Sequence, residues 1–350
     1  MKKTRHIHII GAGLAGMTAG ISLAREGFRV TISDAQKKIG GSPMLHPSVH
    51  TTPAQLPELC RFTGIDFTGA FAPCDPYPVF YNKTRRLTFP SYVKYNRAFC
   101  IERGPRPTSI DNFLYHIAVR EGVKFEFGGK ADFKSRRPGT IVATGLDAAG
   151  YGAFGVPCRT VYGAWSARET GDRSATGSIY MGPFSTDYGY TARVHGLDYN
   201  LLFSRKPLTD GDLDAYRAVL AKIGVTGYPE PWRSVTMAVP AAVRLFAGDV
   251  ILAGTLSGMI EPFWGYGIVG AIISGRLAAK AAVDRNAAEW EFNLFNKGFD
   301  KKFARREKFS SYSSPVRSIL TDFGLAAARL QCLFDKELAS NPREPLRWFR

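Results

Sequence analysis

The order of apolar and polar positions is most regular over the first 34 residues of the chain. A short apolar run at residues 7–10 is followed by a helical period over residues 17–24. Gly27 ends that period, and a β-branched run at residues 30–32 leads to Asp34. This order predicts strand, helix and strand, a β-α-β unit with an acid at the tip of its second strand.

A glycine-rich turn, GAGLAG, joins the first predicted strand to the helix. Gly11 permits the turn, Gly13 lets a pyrophosphate approach the backbone, and Gly16 lets helix and strand pack closely. The helix N-terminus offers N–H groups to phosphates. Asp34 offers a carboxylate to ribose hydroxyls, which favours NAD or FAD over NADP; a structural turn without nucleotide is the alternative. The predicted cofactor-binding residues here are Gly11, Ala12, Gly13, Leu14, Ala15, Gly16, Asp34 and Ala35.

Further segments are predicted to complete a nucleotide-binding domain. Residues 139–145 and 249–254 are buried β-runs, and the first ends in Ala-Thr-Gly at the same carboxyl edge of the sheet. Glycines before a small-residue helix at residues 268–283 present N–H groups suited to the N1/C2-carbonyl edge of a reduced flavin. The loop at residues 36–42 either follows a ribose or ribityl chain or is a plain surface turn. These segments add predicted contacts at Gly41, Ala143, Thr144, Gly145, Gly254, Thr255, Gly265, Tyr266, Gly267 and Ile268.

Two separated regions, residues 43–96 and 155–235, have the alternation and aromatic content of antiparallel strands. We predict that they form one substrate-facing sheet, flanked by a helix at residues 212–223. Its aromatic residues are either plain core or the lining of an apolar pocket. They are Tyr77, Phe80, Tyr81, Phe89, Tyr92, Tyr188 and Tyr190, with Phe263 and Trp264 from a later loop.

Candidate acid/base residues are His46, His50, Tyr190 and Glu261. The two histidines are four residues apart, but Pro47 disfavours the helix that would align them and no third ligand is near, so no metal site is predicted.

Length, charge and cysteine spacing restrict the class of protein. A chain of 350 residues can hold two joined domains. The formal net charge of +16 suits anionic partners, and no motif favours nucleic acid. Five widely spaced cysteines predict reduced thiols.

We predict three units along the chain. The nucleotide-binding domain comprises residues 1–42, 97–154 and 236–285, and the substrate domain comprises residues 43–96 and 155–235. Residues 286–350 form a basic helical segment.

The tail from Asp284 mixes phenylalanines with lysines and arginines, as in KGFDKKFARREKF. It is predicted to be an amphipathic helix docked on the core with a solvated basic face, or a surface that attracts anionic lipid headgroups. The chain shows no apolar run of membrane-spanning length and no signal peptide. We therefore expect a cytoplasmic protein. If the tail attracts anionic lipid headgroups, the protein would lie peripherally on the inner face of the membrane.

Three stretches together resemble the FAD-dependent oxidoreductases of the p-hydroxybenzoate-hydroxylase-like class, and most closely the geranylgeranyl reductase family. They are GAGLAG with Asp34, the Ala-Thr-Gly strand end, and LAGTLSGMIEPFWGYGIVGAIISGRLAA. The similarity covers about residues 5–35, 100–145 and 235–285 well and the substrate sheet poorly. It implies a Rossmann-type α/β FAD-binding domain with an inserted, mostly antiparallel substrate sheet and a helical tail.

The resemblance also implies roles for individual residues. Gly11, Gly13, Gly16 and Asp34 would hold the ADP half of FAD; Arg103 would lie near the pyrophosphate or ribityl chain, and Gly265 and Gly267 would back the flavin ring. Thr255, in the sequence Gly254-Thr255-Leu256, stands where the family has an aspartate. A carboxylate contact to the cofactor is therefore replaced by a hydroxyl.

The implied activity is reduction of carbon–carbon double bonds in a hydrophobic, isoprenoid-type small molecule or lipid, by hydride transfer from flavin N5. One alternative is a flavin-dependent aromatic monooxygenase. An alternative of another class is a redox-neutral flavin-binding component of a complex. No second glycine-rich nucleotide unit is present in the sequence, so the expected electron donor is transiently bound NAD(P)H or an acidic ferredoxin-like protein.

Overall fold

The computed structural model describes residues 5–74, 78–81, 85–88, 97–129, 133 and 138–334. Its strands are β1 (His6–Ile10), β2 (Arg29–Asp34), β3 (Ser48–Ala54), β4 (Ala72–Pro73), β5 (Pro78–Tyr81), β6 (Arg85–Thr88), β7 (Arg97–Arg103), β8 (Lys124–Phe127), β9 (Ile141–Val142), β10 (Cys158–Glu169), β11 (Thr176–Met181), β12 (Gly189–Val194), β13 (Leu197–Ser204), β14 (Arg233–Pro240), β15 (Phe246–Ala247) and β16 (Val250–Leu252). Its α-helices are α1 (Leu14–Arg25), α2 (Leu56–Thr63), α3 (Ile110–Arg120), α4 (Ala148–Phe154), α5 (Asp210–Lys222), α6 (Ile268–Val283), α7 (Arg285–Asn296), α8 (Phe299–Ser311) and α9 (Ser314–Phe334).

The first sheet has the strand order β15-β16-β9-β1-β2-β8. Every pair in it is parallel except β15 with β16. Helix α1 crosses from β1 to β2, which is the predicted β-α-β unit. Strand β9 lies parallel beside β1, and β16 lies parallel beside β9. The residues that follow these three strands therefore meet at one carboxyl edge, where α/β sheets bind ligands. The predicted Rossmann-type domain is confirmed.

Helix α6 packs on α1 through small residues. A Cβ atom on Gly275 would lie 2.4 Å from the carbonyl oxygen of Ala15, so only glycine allows this approach. Ser274 Oγ accepts a 2.7 Å hydrogen bond from the backbone N–H of Gly254. The two helices follow β1 and the β16 region, so both begin at the ligand edge of the sheet.

The second sheet has the order β14-β10-β13-β12-β11-β5-β6 and is antiparallel except for the β5–β11 pair. This confirms the inserted, mostly antiparallel sheet. The alternation of side chains along each strand places Tyr190, Leu201 and Met237 in one core cluster and Tyr180 in another.

Residues 43–96 differ from the prediction in two ways. They contain a helix, α2, which was predicted as strand and loop; it is short, and only Leu59 and Thr63 in it are buried, so its periodicity is too brief to recognise. Strands β3 and β4 pair with β7 in a separate three-stranded sheet. Only β5 and β6 join the large sheet. Three of the predicted lining residues, Tyr77, Phe89 and Tyr92, lie outside the described residues.

The tail is helical through Phe334, as predicted. The side chain of Asp284 caps α7 by accepting a 3.0 Å hydrogen bond from the N–H of Ala287. In α8, Phe299 and Arg306 are buried, so this helix is packed on the rest of the protein.

Candidate active site

The glycine-rich turn forms a cradle in which packing explains two of the three glycines. Gly11 has φ 108°, and a Cβ atom on it would lie 2.4 Å from Ala143 O. A Cβ atom on Gly16 would lie 1.9 Å from Gly11 O. Around Gly13, by contrast, no atom lies within 4 Å of such a Cβ. The open space at Gly13 is where a ligand can approach the first turn of α1, which has no side-chain cap.

Asp34 lies at the tip of β2 beside this turn. Its Oδ2 accepts a 2.6 Å hydrogen bond from the N–H of Ala12, and its Oδ1 accepts one of 2.8 Å from Gln36. These bonds fix the carboxylate at the edge of the cavity described below. Each oxygen has further acceptor capacity, so Asp34 can still accept hydrogen bonds from ribose hydroxyls.

Two buried threonine hydroxyls face the same edge. Thr144 Oγ1 and Thr255 Oγ1 have no hydrogen-bond partner among the described residues, and both residues line the cavity. A buried hydroxyl without a partner is costly, and a polar ligand at this edge would satisfy both. The donor set therefore fits a dinucleotide, with a hydroxyl at position 255 in place of a carboxylate.

The loop before α6 is held by Glu261. Its Oε2 accepts hydrogen bonds from the N–H groups of Phe263 (3.0 Å) and Trp264 (2.6 Å), and Lys302 Nζ lies 3.7 Å from Oε1. Burial raises the pKa of Glu261, although these N–H groups and Lys302 oppose the shift. Glu261 therefore has a structural task in addition to its predicted acid/base role.

One cavity of about 840 Å³ joins the cradle to the large sheet. At one end lie Gly13, Asp34 and Thr255. At the other end its wall is mainly apolar and aromatic, formed by Val161, Tyr188, Tyr190, Tyr199, Leu201, Phe203, Val235, Met237, Phe263, Trp264 and Phe303, with Asp187, Arg205 and Thr236 as polar members.

Almost every predicted site residue lines this cavity. The exceptions are Ala12, which fixes Asp34, and Gly16, which packs behind the turn. The predicted residues that line it are Gly11, Gly13, Leu14, Ala15, Asp34, Ala35, Gly41, His46, His50, Arg103, Ala143, Thr144, Gly145, Tyr190, Gly254, Thr255, Glu261, Gly265, Tyr266, Gly267 and Ile268.

Three of the acid/base candidates are joined by a residue that the sequence did not single out, Ser48. The Ser48 hydroxyl lies 2.8 Å from His46 Nδ1 and 2.9 Å from His50 Nε2. His50 Nδ1 lies 3.4 Å from the Tyr190 hydroxyl. Together they form a hydrogen-bonded chain from His46 to Tyr190.

The histidines of this chain are neutral at ordinary pH. Burial, with Arg103 as the next cause, lowers the pKa of His46 and of His50 to about 3. Burial also raises the pKa of Tyr190 well above its usual value. The chain therefore carries no charge, and each neutral imidazole has one donor and one acceptor nitrogen.

Arg103 is held by a buried acid. Its Nε and Nη2 donate to Asp111 Oδ2 and Oδ1 at 2.8 and 2.9 Å. Although burial opposes ionisation of Asp111, Arg103 lowers the pKa of that carboxyl overall. The bidentate pair fixes the guanidinium at the cavity wall, where it can still face an anionic group of a ligand.

Helix α8 contributes to the site in a way that the sequence did not reveal. Phe303 lines the cavity, and the fully buried Arg306 pairs with Asp187 beside β12. In the sequence, Arg306 is one cation in a basic run. What distinguishes Arg306 from the other cations of that run is its contact with Asp187, 119 positions away in the sequence. Within the described ranges, no cluster of three metal-ligating side chains occurs.

Comparison with known proteins agrees with the fold. A family model described as an NAD(P)-binding Rossmann-like domain matches residues 9–52. No curated protein sequence matches the chain. Solved structures match it over nearly its whole length.

A geranylgeranyl bacteriochlorophyll reductase-like protein from Thermoplasma acidophilum is 16% identical, with a TM-score of 0.72 over 95% of this chain and 97% of that chain. The p-nitrophenol 4-monooxygenase PnpA from Pseudomonas putida is 14% identical, with a TM-score of 0.66 over 98% and 100%. CtdE, solved in complex with FAD, is 12% identical, with a TM-score of 0.58 over 93% and 100%. The chain therefore has the fold of the FAD-dependent oxidoreductases.

Proposed function

We propose that this protein binds FAD and reduces carbon–carbon double bonds of a hydrophobic, isoprenoid-type substrate. The observation that carries the proposal is the single cavity that joins the phosphate cradle to the aromatic wall. A ligand pocket that is mostly apolar with a few fixed polar groups suits a substrate of this kind.

The residues for FAD follow from the site. The first turn of α1 at Gly13 would hold the pyrophosphate, Asp34 the adenosine ribose, and Thr144 and Thr255 the part of the cofactor nearest the strand ends. Gly267, at the start of α6, would face the flavin ring with the helix N-terminus. When bound in its reduced form, FAD supplies the hydride from N5.

The aromatic wall would orient the substrate and exclude water. Tyr190, Leu201 and Met237 come from three strands of the large sheet, β12, β13 and β14, and Trp264 comes from the loop before α6. Their apolar surface favours a substrate whose reacting carbons carry no charge.

The second carbon of the double bond must receive a proton. Tyr190 is one end of the hydrogen-bonded chain and belongs to the aromatic wall, so its hydroxyl would donate that proton and recover one from His50. Ser48 and His46 continue the route away from Tyr190. Because every member is neutral, a proton can pass along the chain without leaving a net charge on it.

A spectroscopic and chemical experiment tests the proposal. We expect the purified protein to show flavin absorption and to release FAD on heating. After reduction with dithionite under anaerobic conditions, a prenyl alcohol should reoxidise the flavin and gain two hydrogen atoms, detected by mass spectrometry. Bound FAD that dithionite reduces but no prenyl compound reoxidises would refute the reductase assignment. Bound flavin that no donor reduces would favour a redox-neutral component.

A matched pair of tyrosines provides the control. Tyr190→Phe removes the hydroxyl of a tyrosine that lines the cavity, and we expect the rate of flavin reoxidation to fall about a hundredfold. Tyr180→Phe removes a buried hydroxyl of the same sheet that bonds Thr191 at 2.9 Å and does not line the cavity. Equal loss in the two variants would show that the effect comes from the sheet and not from proton donation.

An aromatic monooxygenase is the second candidate. The match to PnpA over the full length of that enzyme favours it. A phenolic substrate, however, needs a base, and histidines with pKa values lowered to about 3 are weak bases. NADPH oxidation in air that a phenol stimulates would favour the monooxygenase.

The electron donor of the proposed reductase is tested separately. Reduction of the bound flavin by NAD(P)H would be compared with its reduction by a ferredoxin-like protein.

A further inference from the structure

Helix α9 presents an apolar stripe to solvent. Its side chains recur at the i, i+3, i+4 and i+7 spacing of one helical face, and they are 39–72% exposed: Val316, Ile319, Leu320 and Phe323. On the other side of the helix, Thr321 and Leu325 are buried. Single exposed apolar residues are ordinary, whereas a continuous stripe marks an interaction surface.

The preceding helix, α8, exposes positive charge. Lys301, Arg305 and Lys308 are exposed at the spacing of one helical face, and no acid among the described residues forms a salt bridge with them. Only Tyr312 and Ser313 separate α8 from α9. The chain as a whole has a formal net charge of +16.

Charge identifies the kind of partner. A second copy of this chain, docked stripe to stripe, would bring the same cations towards each other at a cost. An anionic bilayer complements both features, because its headgroups attract lysine and arginine and its acyl boundary accepts apolar side chains. No helix in the described part of the chain is long and apolar enough to cross a bilayer.

We propose that α8 and α9 dock the protein on the surface of an anionic membrane. The stripe of α9 enters the boundary between headgroups and acyl chains, and the exposed cations of α8 contact the headgroups. Helix α8 also supplies Phe303 to the wall of the cavity, so the docking helices are continuous with the pocket. The docking itself does not depend on the reaction proposed above.

Vesicle binding tests the proposal with the full chain. We expect co-sedimentation with vesicles of equimolar phosphatidylcholine and phosphatidylglycerol, weakened by salt, and little binding to phosphatidylcholine alone. Ile319→Ser with Phe323→Ser should weaken the binding at least about tenfold, because the inserted apolar area is lost. Lys301→Gln, Arg305→Gln and Lys308→Gln together should remove the dependence on anionic lipid.

Val119→Ser with Val283→Ser is the matched control. These side chains are 47% and 57% exposed on α3 and at the end of α6, and their loss should leave vesicle binding unchanged. Thermal melting of each variant establishes that it is folded. Absence of binding by the unchanged protein, or equal weakening by both double variants, would overturn the proposal. So would a dimer in solution that Ile319→Ser with Phe323→Ser converts to monomer without any change in vesicle binding.

Discussion

The two ends of the cavity are built by different means. The cradle is made of backbone: Gly11, Gly13 and Gly16 lie within one turn and act by having no side chain. The opposite end is made of side chains from distant parts of the chain, such as His50 with Tyr190, 140 positions apart, and Asp187 with Arg306. A backbone site is sensitive to added atoms, whereas a side-chain site is sensitive to the loss of one partner.

The largest effect is expected within the cradle itself. Gly16→Ala places a Cβ atom 1.9 Å from Gly11 O, so we expect a loss of more than about 3 kcal/mol in the free energy of unfolding and no flavin binding. Gly13→Ala meets no protein atom, and Gly13 has φ −81°, which alanine adopts freely. Without flavin, the Gly13→Ala variant should have the same free energy of unfolding as the unchanged protein. It should nevertheless bind FAD weakly. Denaturant unfolding and flavin titration separate the two, and normal FAD affinity in Gly13→Ala would exclude the pyrophosphate from this turn.

The buried ion pair of α8 gives the next largest effect. Arg306→Met leaves Asp187 without its closest partner, although Arg205 stays 3.6 Å away. We expect a loss of about 3 kcal/mol, at the low end for a broken buried pair. Adding Asp187→Asn removes the carboxylate that has lost its closest partner, so the double variant should recover part of the loss in urea unfolding. If the double variant loses as much free energy of unfolding as Arg306→Met and Asp187→Asn lose in sum, the two side chains are not coupled.

The histidine chain makes stability depend on pH. His46 and His50 have pKa values of about 3 in the folded protein and about 6.5 when unfolded, so the unfolded chain binds more protons between those values. The free energy of unfolding should fall as the medium becomes more acidic, by about 2 kcal/mol between pH 6 and pH 5 from the two histidines. His46→Gln with His50→Gln should lose this dependence. The exposed His116→Gln is the control, and an unchanged slope in the double variant would contradict the assignment.

Ser48→Ala breaks the hydrogen-bonded chain without changing its ends. We expect normal flavin binding and substrate oxidation of the reduced flavin slowed about tenfold, because a water molecule can partly replace the hydroxyl. The solvent deuterium isotope effect on this step should increase. Ser166→Ala removes a buried serine hydroxyl that bonds Pro229 O at 2.7 Å outside the cavity. If Ser166→Ala slows flavin oxidation equally, the slowing in Ser48→Ala comes from reduced stability of the fold and not from the broken hydrogen-bonded chain.

The smallest effect is expected at Thr255. Its buried hydroxyl has no partner among the described residues, so Thr255→Val should not reduce the stability of the flavin-free protein. A hydrogen bond to the cofactor would be lost, at about 1 kcal/mol or fivefold in affinity for FAD. Thr63→Val is the control for a buried threonine whose hydroxyl bonds the backbone, at 2.8 Å from Leu59 O. Unchanged FAD affinity in Thr255→Val would mean that position 255 does not contact the cofactor.

The sequence by itself determined the β-α-β unit, its acid at Asp34 and the second helix N-terminus at Gly267. These features are local: strand, turn and helix follow one another within about 30 residues, and glycine spacing reports backbone geometry directly. The inserted sheet was predictable as a class from alternation and aromatic content. The sequence did not predict that these strands divide into two sheets. Strand β3 pairs with β7 instead of with the large sheet, and this choice depends on contacts between strands far apart in sequence.

Only the tertiary structure decided how the side chains of the site meet. His46, His50 and Tyr190 were candidates from their chemistry, but Ser48, which joins them, resembles any other strand serine until the strands are paired. Arg306 resembles its exposed neighbours in the basic run until α8 is docked. Short-range spacing fixes what the backbone does, whereas the partners of a side chain are fixed by packing between segments that the sequence keeps apart.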